Sequence, residues 1–158
     1  FLYFFPPINL FSLSEKEIMR IDKSLMGGKK YRNGFEFTLC SETLRASLDV
    51  IKDADIERAG DVYSFYVDLD AALQSVARKT KSGGYQFWVV GNRTVKNELL
   101  QTDVIIAELA PQYGLVALYT VDRNIPNKVM PSLNSPTNIT GVKGSTMTME
   151  HIVILRKQ

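Results

Sequence analysis

Three short apolar runs constrain the fold of this chain more than any other feature. They are "YQFWVV" at 85–90, "LVALYTVDR" at 115–123 and "HIVILRK" at 151–157. Their aromatic and β-branched residues predict strands, and the unbroken first run indicates a strand buried on both faces of a parallel sheet. A helical pattern separates the first two runs, which predicts a parallel βαβ unit. A long loop separates the last two, so we expect them to pair antiparallel as a C-terminal hairpin.

Helical patterns dominate the part of the chain before the first strand. Ser14 and Glu17 form a predicted capping box at the start of a short helix. Two longer helices follow, with Gly60 as the expected break or kink between them. The pair at 83–84, Gly-Gly, is expected to end helical structure, and Thr102 is the predicted N-cap of a fourth helix. The residues predicted to face inward are Leu44, Leu48, Ile51, Tyr66, Leu69, Leu73 and Val76.

The chain divides into two regions on this pattern. Residues 1–40 hold an apolar lead-in, a short helix and a basic linker, and residues 41–158 form the α/β domain. Within the domain, 91–101 is predicted to be a polar loop. A second loop, 124–149, contains three prolines and many Asn, Ser and Thr residues, and loops of that length in compact domains are usually functional or disordered.

Composition excludes several classes of protein. The chain has 158 residues with 45% hydrophobic and 23% charged residues, which suits one globular domain. A single cysteine, Cys40, rules out an internal disulfide and suits a cytoplasmic location, and with His151 as the only histidine a zinc site is not expected. No apolar run is long enough to cross a bilayer. The net charge of +2 is weak support for a polyanionic partner.

Four stretches carry a resemblance to a known family. They are "VVGNRTVKN" at 89–97, "QTDVIIAELAPQYG" at 101–114, "DRNIPNKVMPSLNSPTN" at 122–138 and "TMEHIVILRK" at 148–157. In this order they resemble the C-terminal half of class I S-adenosylmethionine-dependent DNA methyltransferases of the amino-group type, from bacterial restriction–modification systems. The resemblance implies a partial Rossmann-like methyltransferase fold, with parallel strands, helices and a C-terminal antiparallel hairpin. The three runs then correspond to the fifth, sixth and antiparallel seventh strands.

The resemblance also implies S-adenosylmethionine as cofactor, bound mainly by a part absent from this chain. Such enzymes hold the cofactor through a glycine-containing turn after a first strand, and no strand–GxG–helix unit precedes Gly83. We therefore expect a missing N-terminal half, or a second chain, to supply the cofactor site. DNA is the other expected partner.

The opening "FLYFFPPINLF" at 1–11 resembles the catalytic loop of these enzymes only in its proline pair. The family carries Asp, Asn or Ser before the prolines, to accept from the target amino group, and an aromatic ring after them to stack on the flipped base. Here Phe5 and Ile8 stand at those positions. The stretch therefore reads as a buried strand or a docking segment, and the catalytic residues are unknown.

Candidate DNA-binding residues lie at the end of the first predicted strand and in the long loop. Ligands of open α/β sheets bind at the carboxyl ends of strands, where Asn92 suits a base edge and Arg93 a phosphate. The loop adds residues of phosphate- and base-contacting types: Lys128, Asn134, Asn138 and Lys143. Asp103 is expected to be a first-turn helix acid, and His151 a structural residue.

Three functional hypotheses stay open. In the first, the chain is a fragment or subunit of a site-specific DNA methyltransferase that supplies target-base and DNA contacts. In the second, it is a non-catalytic methyltransferase-like module that binds a partner protein. In the third, the substrate is RNA or a small molecule, because a fold does not fix a substrate.

Overall fold

A computed structural model of the protein describes residues 14–125, 133–134, 144–145 and 149–158. The helices are α1 (Glu15–Ser24), α2 (Glu42–Ala54), α3 (Ile56–Lys79) and α4 (Thr102–Leu109), and α4 continues into a 3₁₀ turn, Ala110–Tyr113. The strands are β1 (Tyr85–Val90), β2 (Arg93–Val95), β3 (Glu98–Leu100), β4 (Leu115–Asn124), β5 (Leu133–Asn134), β6 (Gly144–Ser145) and β7 (Met149–Lys157). The opening segment, with the predictions made for Phe5 and Ile8, lies outside the described residues.

Polar side chains start the first three helices. The predicted capping box is confirmed, since the Ser14 N–H donates to Glu17 Oε2 at 2.8 Å. Ser41 Oγ accepts from the Leu44 N–H at 3.1 Å at the start of α2. Asp55 Oδ1 accepts from the Arg58 N–H at 2.9 Å at the start of α3. Asp55 therefore separates α2 from α3.

The expected break at Gly60 is wrong, because Gly60 lies inside α3 and serves a packing role. A Cβ built on Gly60 would lie 2.3 Å from the carbonyl oxygen of Tyr31. Only glycine lets the Tyr31 backbone cross α3 this closely. The crossing segment then packs its rings on Tyr63 of α3, with Phe35 stacked at 4.2 Å and Tyr31 edge-on at 4.9 Å between ring centroids.

The core lies between α2, α3, α4 and one face of the main sheet. Most of the residues predicted to face inward are buried: Leu44, Leu48, Ile51, Tyr66, Leu69 and Leu73. Val76 is the exception, at 43% exposed. The sheet contributes Val153 and Leu155 of β7 to this core.

The main sheet has the strand order β1-β7-β4, and β7 pairs antiparallel with both neighbours. The mixed α/β class and the antiparallel pairing of the last two long strands are confirmed. A parallel pair is not found among the described strands, because β7 lies between β1 and β4. Those two strands run in the same direction without pairing with each other.

The prediction that β1 is buried on both faces is wrong. Gln86 is buried, but Tyr85, Phe87 and Val89 are exposed, with Phe87 at 64%. Alternation of this kind marks a strand that is covered on one face only. The unbroken apolar run therefore does not reflect burial within the described residues.

The predicted polar loop at 91–101 is also wrong, because it folds as the hairpin β2–β3. Its two turn residues, Lys96 and Asn97, have positive φ angles of 50° and 67°. Positive φ at both central positions is the signature of a type I′ turn, whose twist suits a two-residue hairpin. Val95 and Leu100 of the hairpin are buried in the core, which explains why a polar stretch is held in place.

We expect Gly60→Ala to destabilise the protein by about 1–3 kcal/mol, because the new methyl group overlaps the Tyr31 backbone. This sign is opposite to the gain that alanine normally brings inside a helix. Urea unfolding measures the change, with Ser75→Ala on the exposed side of the same helix as control. A stabilised Gly60→Ala variant would show that the crossing is not close in solution.

Candidate functional site

Three strand ends meet at one end of the main sheet. Val90 of β1 and Asp122 of β4 both align with His151 of β7. The loop that leaves β1 passes through Asn92, and the first turn of α4 holds Asp103 beside it. We call Asn92, Asp103, Asp122 and His151 the polar cluster.

Asn92 is tied to the first turn of α4. Its Nδ2 donates to Asp103 Oδ1 at 2.8 Å, and the Asp103 N–H donates to Asn92 Oδ1 at 3.4 Å. The second bond satisfies one of the helix-start N–H groups that have no partner within the helix. The side chain of Asn92 therefore positions the loop after β1, and its predicted base contact stays a prediction.

His151 joins the two carboxylates of the polar cluster. Its Nδ1 lies 2.8 Å from Asp122 Oδ1 and 3.9 Å from Asp103 Oδ2. The imidazole is largely buried at this point, at 16% side-chain exposure, so it has little contact with solvent. These contacts link β4 and β7 to α4, as expected of a histidine with a structural role.

Thr102 does not cap α4 as predicted. Gln101 holds the N-cap position without a side-chain capping bond, and Thr102 is the first residue of the helix. Its hydroxyl is instead 2.9 Å from the hydroxyl of Tyr66, and both residues are buried. Burial raises the pKa of the Tyr66 phenol, so the ring stays neutral.

Arg93 has different surroundings from its neighbour Asn92. It starts β2, is exposed, and lines a cavity of about 60 Å³ between the hairpin and α3. The other lining residues are Arg58, Asp61, Val62, Phe65, Tyr66, Val95 and Leu100. Of the predicted pair, Asn92 therefore belongs to the polar cluster, and Arg93 lines this cavity.

A pair of charged residues fixes the segment before α2 to the same part of α3. Arg32 Nε and Nη2 donate to the two oxygens of Asp61 at 2.7 and 2.8 Å. This bidentate contact holds the pKa of the Asp61 carboxyl below its usual value. At the start of α3, the Lys96 ammonium lies 2.9 Å from Asp55 and lowers the pKa of that carboxyl as well.

The candidate residues of the long loop fall mostly outside the part of the chain that the structure describes. Lys128, Asn138 and Lys143 lie outside the described residues. The backbone of Asn134 pairs with Gly144 in the two-residue ladder β5–β6. The DNA-binding roles of these four residues stay predictions.

The sequence did not indicate that Asp103, Asp122 and His151 form the polar cluster with Asn92. It also did not indicate that Arg58 lines a cavity with Arg93. Asp122 and His151 are aligned by the register of β7 with β4, and Asp103 joins them from the first turn of α4. Arg58 and Arg93 line one cavity because the hairpin packs beside α3. The one available signal was position, since Asp122 lies near the end of one predicted strand and His151 begins another.

In the described ranges, no group of three or more His, Cys, Asp or Glu side chains is arranged to hold a metal ion. The helices of those ranges are too short or too polar to cross a lipid bilayer.

Comparison with known proteins supports the resemblance for most of the chain. In an alignment of 147 residues that covers 90% of the chain, it is 44% identical to the Type II methyltransferase M.MvaI of Kocuria varians. The chain is therefore homologous to part of a type II methyltransferase. It spans about a third of that relative, 32% of its length. No protein-family model and no solved structure matches the chain.

Stability should depend on Asp61 in a defined pH range. A depressed carboxyl pKa adds stability above the pKa of the unfolded chain, about 3.9, and this stability is lost as the pH falls through the lower folded value. We expect Asp61→Asn to be less stable than the parent near pH 7, with the difference closing below about pH 4. Arg32 and Arg58 are the charged groups that face Asp61.

Urea unfolding at the two pH values measures this difference. Asp53→Asn, an exposed carboxylate on α2, is the control and should change stability by less than about 0.5 kcal/mol. A difference for Asp61→Asn that persists unchanged at low pH would contradict the role of its charge.

Asp103→Ala should release the loop after β1. Losing the acceptor for Asn92 Nδ2 is expected to cost about 1.5–3 kcal/mol and to speed amide exchange at residues 91–93. Asp103→Asn keeps a side-chain oxygen and should retain slower exchange there. Equal exchange rates in parent and Asp103→Ala would show that this hydrogen bond does not hold the loop.

Proposed function

We propose that the chain is part of a site-specific DNA methyltransferase and supplies contacts to the target base and the DNA. In this proposal a second part binds S-adenosylmethionine and provides the group that accepts from the base amine. The observation that carries it is the 44% identity to a Type II methyltransferase over 90% of the chain. The antiparallel β7 agrees with the seventh strand that the resemblance implies.

The position of Asn92 and Arg93 supports this assignment. They follow β1 at the end where β1 and β4 both terminate, and ligands of α/β sheets bind outside such carboxyl ends. Amide and guanidinium groups are suited to base edges and phosphates. The polar cluster holds the loop that carries them.

The outer face of the sheet supports the need for a second part. The strand registers place Phe87, Ile154 and Tyr119 in one row across the sheet, and Val89, Ile152 and Val121 in the next. Phe87 and Tyr119 are each 64% exposed. A contiguous apolar surface of this kind marks an interaction site.

The free edge of β1 lies beside this face. In the described part of the chain, β1 pairs on one side only, with β7. Unpaired backbone groups along such an edge can accept a further strand. We therefore propose that the cofactor-binding part covers the outer face and extends the sheet from β1.

A chimera tests the proposed function. Residues of this chain replace the matched stretch of the Kocuria varians relative, and transfer of radiolabelled methyl from S-adenosylmethionine to DNA is measured. We expect methylated DNA from the chimera and none from this chain alone, for which calorimetry should show no tight binding of the cofactor. Tight binding by the chain alone would contradict the division of roles.

Two further outcomes discriminate between the alternatives. Preferential transfer to RNA would favour an RNA methyltransferase. A chimera that folds, as judged by a cooperative thermal transition, but transfers no methyl group would favour the non-catalytic module. The unaltered Kocuria varians relative is the positive control.

A further inference from the structure

Two arginines contact one carboxylate on α3, and a third arginine lines the same cavity. Both oxygens of Asp61 are already engaged by Arg32 at 2.7 and 2.8 Å. Arg58 reaches Asp61 Oδ2 only at 3.5 Å, at the outer limit of a hydrogen bond. Arg58 also interacts with Asp55, but that carboxylate is already paired with Lys96 at 2.9 Å. The guanidinium of Arg58 therefore shares both of its carboxylates with another cation, and its side chain is 40% exposed.

Arg93 adds a third positive charge across the cavity from α3. Among the residues that the structure describes, its side chain forms no ion pair. It lines the same cavity as Arg58, with Asp61 as the one carboxylate in the lining. The cavity mouth therefore carries more positive than negative charge.

The remaining walls of the cavity strengthen this imbalance. They are formed by Val62, Phe65, Tyr66, Val95 and Leu100, which are apolar or aromatic. Charges beside walls of low dielectric interact more strongly than charges in open water. Two guanidinium groups at such a site repel each other until an anion neutralises them.

We propose that Arg58 and Arg93 together bind one backbone phosphate of DNA. The proposal rests on the proposed function, and it assigns a DNA contact to α3, an element that no sequence motif singled out. Guanidinium groups match the oxygens of a phosphate in a bidentate geometry that lysine cannot reproduce. A phosphate held here would place the DNA backbone next to the loop that carries Asn92.

The salt dependence of DNA binding tests the proposal. Binding of a short fluorescent duplex to the full chain is followed by anisotropy over a range of salt concentrations. Each phosphate contact contributes about 0.9 to the slope of log K against log salt. We expect the double variant Arg58→Gln with Arg93→Gln to lose about 0.9 from this slope, because the two side chains share one phosphate.

The matched control is Arg78→Gln, which removes one charge from the far end of the same helix. Arg78 is exposed and 20 residues from Arg58, a distance of about 30 Å along α3. We expect the control to leave the slope unchanged. Thermal unfolding establishes that all variants are folded. Arg58→Lys keeps the positive charge and should restore only part of the DNA affinity that Arg58→Gln loses.

Several results would overturn the proposal. The first two are an unchanged slope in the double variant and an equal loss of slope in Arg78→Gln. The third is a loss of about 1.8 from the slope of the double variant, which indicates two separate phosphates. The fourth is no binding of the duplex by the parent chain. Methyl transfer by the chimera is measured independently. An active chimera combined with an unchanged slope would remove this contact and leave the proposed function intact.

Discussion

The insertion of β7 between β1 and β4 is the constraint on which the rest of the structure depends. Neither β1 nor β4 has another strand partner in the described ranges. The register of β7 also decides which side chains face the helices, since Val153 and Leu155 enter the core while Ile152 and Ile154 face outward. A shift by one residue would reverse these faces and separate His151 from Asp122. Fold and site therefore rest on the same backbone hydrogen bonds.

Helix α3 provides the second fixed element. Gly60 lets the Tyr31 backbone cross the helix, and Asp61 on the next position fastens Arg32 of the crossing segment. Because Gly60 has no side chain and Asp61 carries a negative charge, the crossing segment packs closely on α3 and is held there by an ion pair. The same carboxylate reaches Arg58 only at 3.5 Å, because both of its oxygens already accept from Arg32. A contact that stabilises the fold thus leaves a positive site at the surface.

Local signals in the sequence predict local structure well. Ser14 and Glu17 form the capping box that their spacing indicates, and the inward residues from Leu44 to Leu73 are buried. Features that depend on distant segments are not predictable in this way. The hairpin at 91–101 is held by burial of Val95 and Leu100, which polar composition conceals. The role of Gly60 depends on a segment 29 residues earlier in the chain.

The candidate site likewise combines local features that the sequence predicts with features that depend on distant segments. The position of Asn92 and Arg93 after β1 is predictable from the apolar run that precedes them. Their different surroundings are not predictable, because Asn92 bonds to Asp103 and Arg93 lines a cavity with Arg58 only once α4 and the hairpin are in place. The sequence also does not show that β1 is covered on one face only, since burial of the other face by a partner would favour the same apolar residues.

The exposed outer face connects the stability of the chain to its proposed role. A partner that covers Phe87 and Tyr119 binds only the folded sheet, so its binding free energy adds to the stability of the strands. The ends of those strands carry the polar cluster and the loop with Asn92. Docking on the apolar face would therefore restrain the end that we propose to contact DNA without touching it. Activity in the proposed enzyme then depends on β7 twice, because the strand presents Ile152 and Ile154 to the partner and His151 to the site.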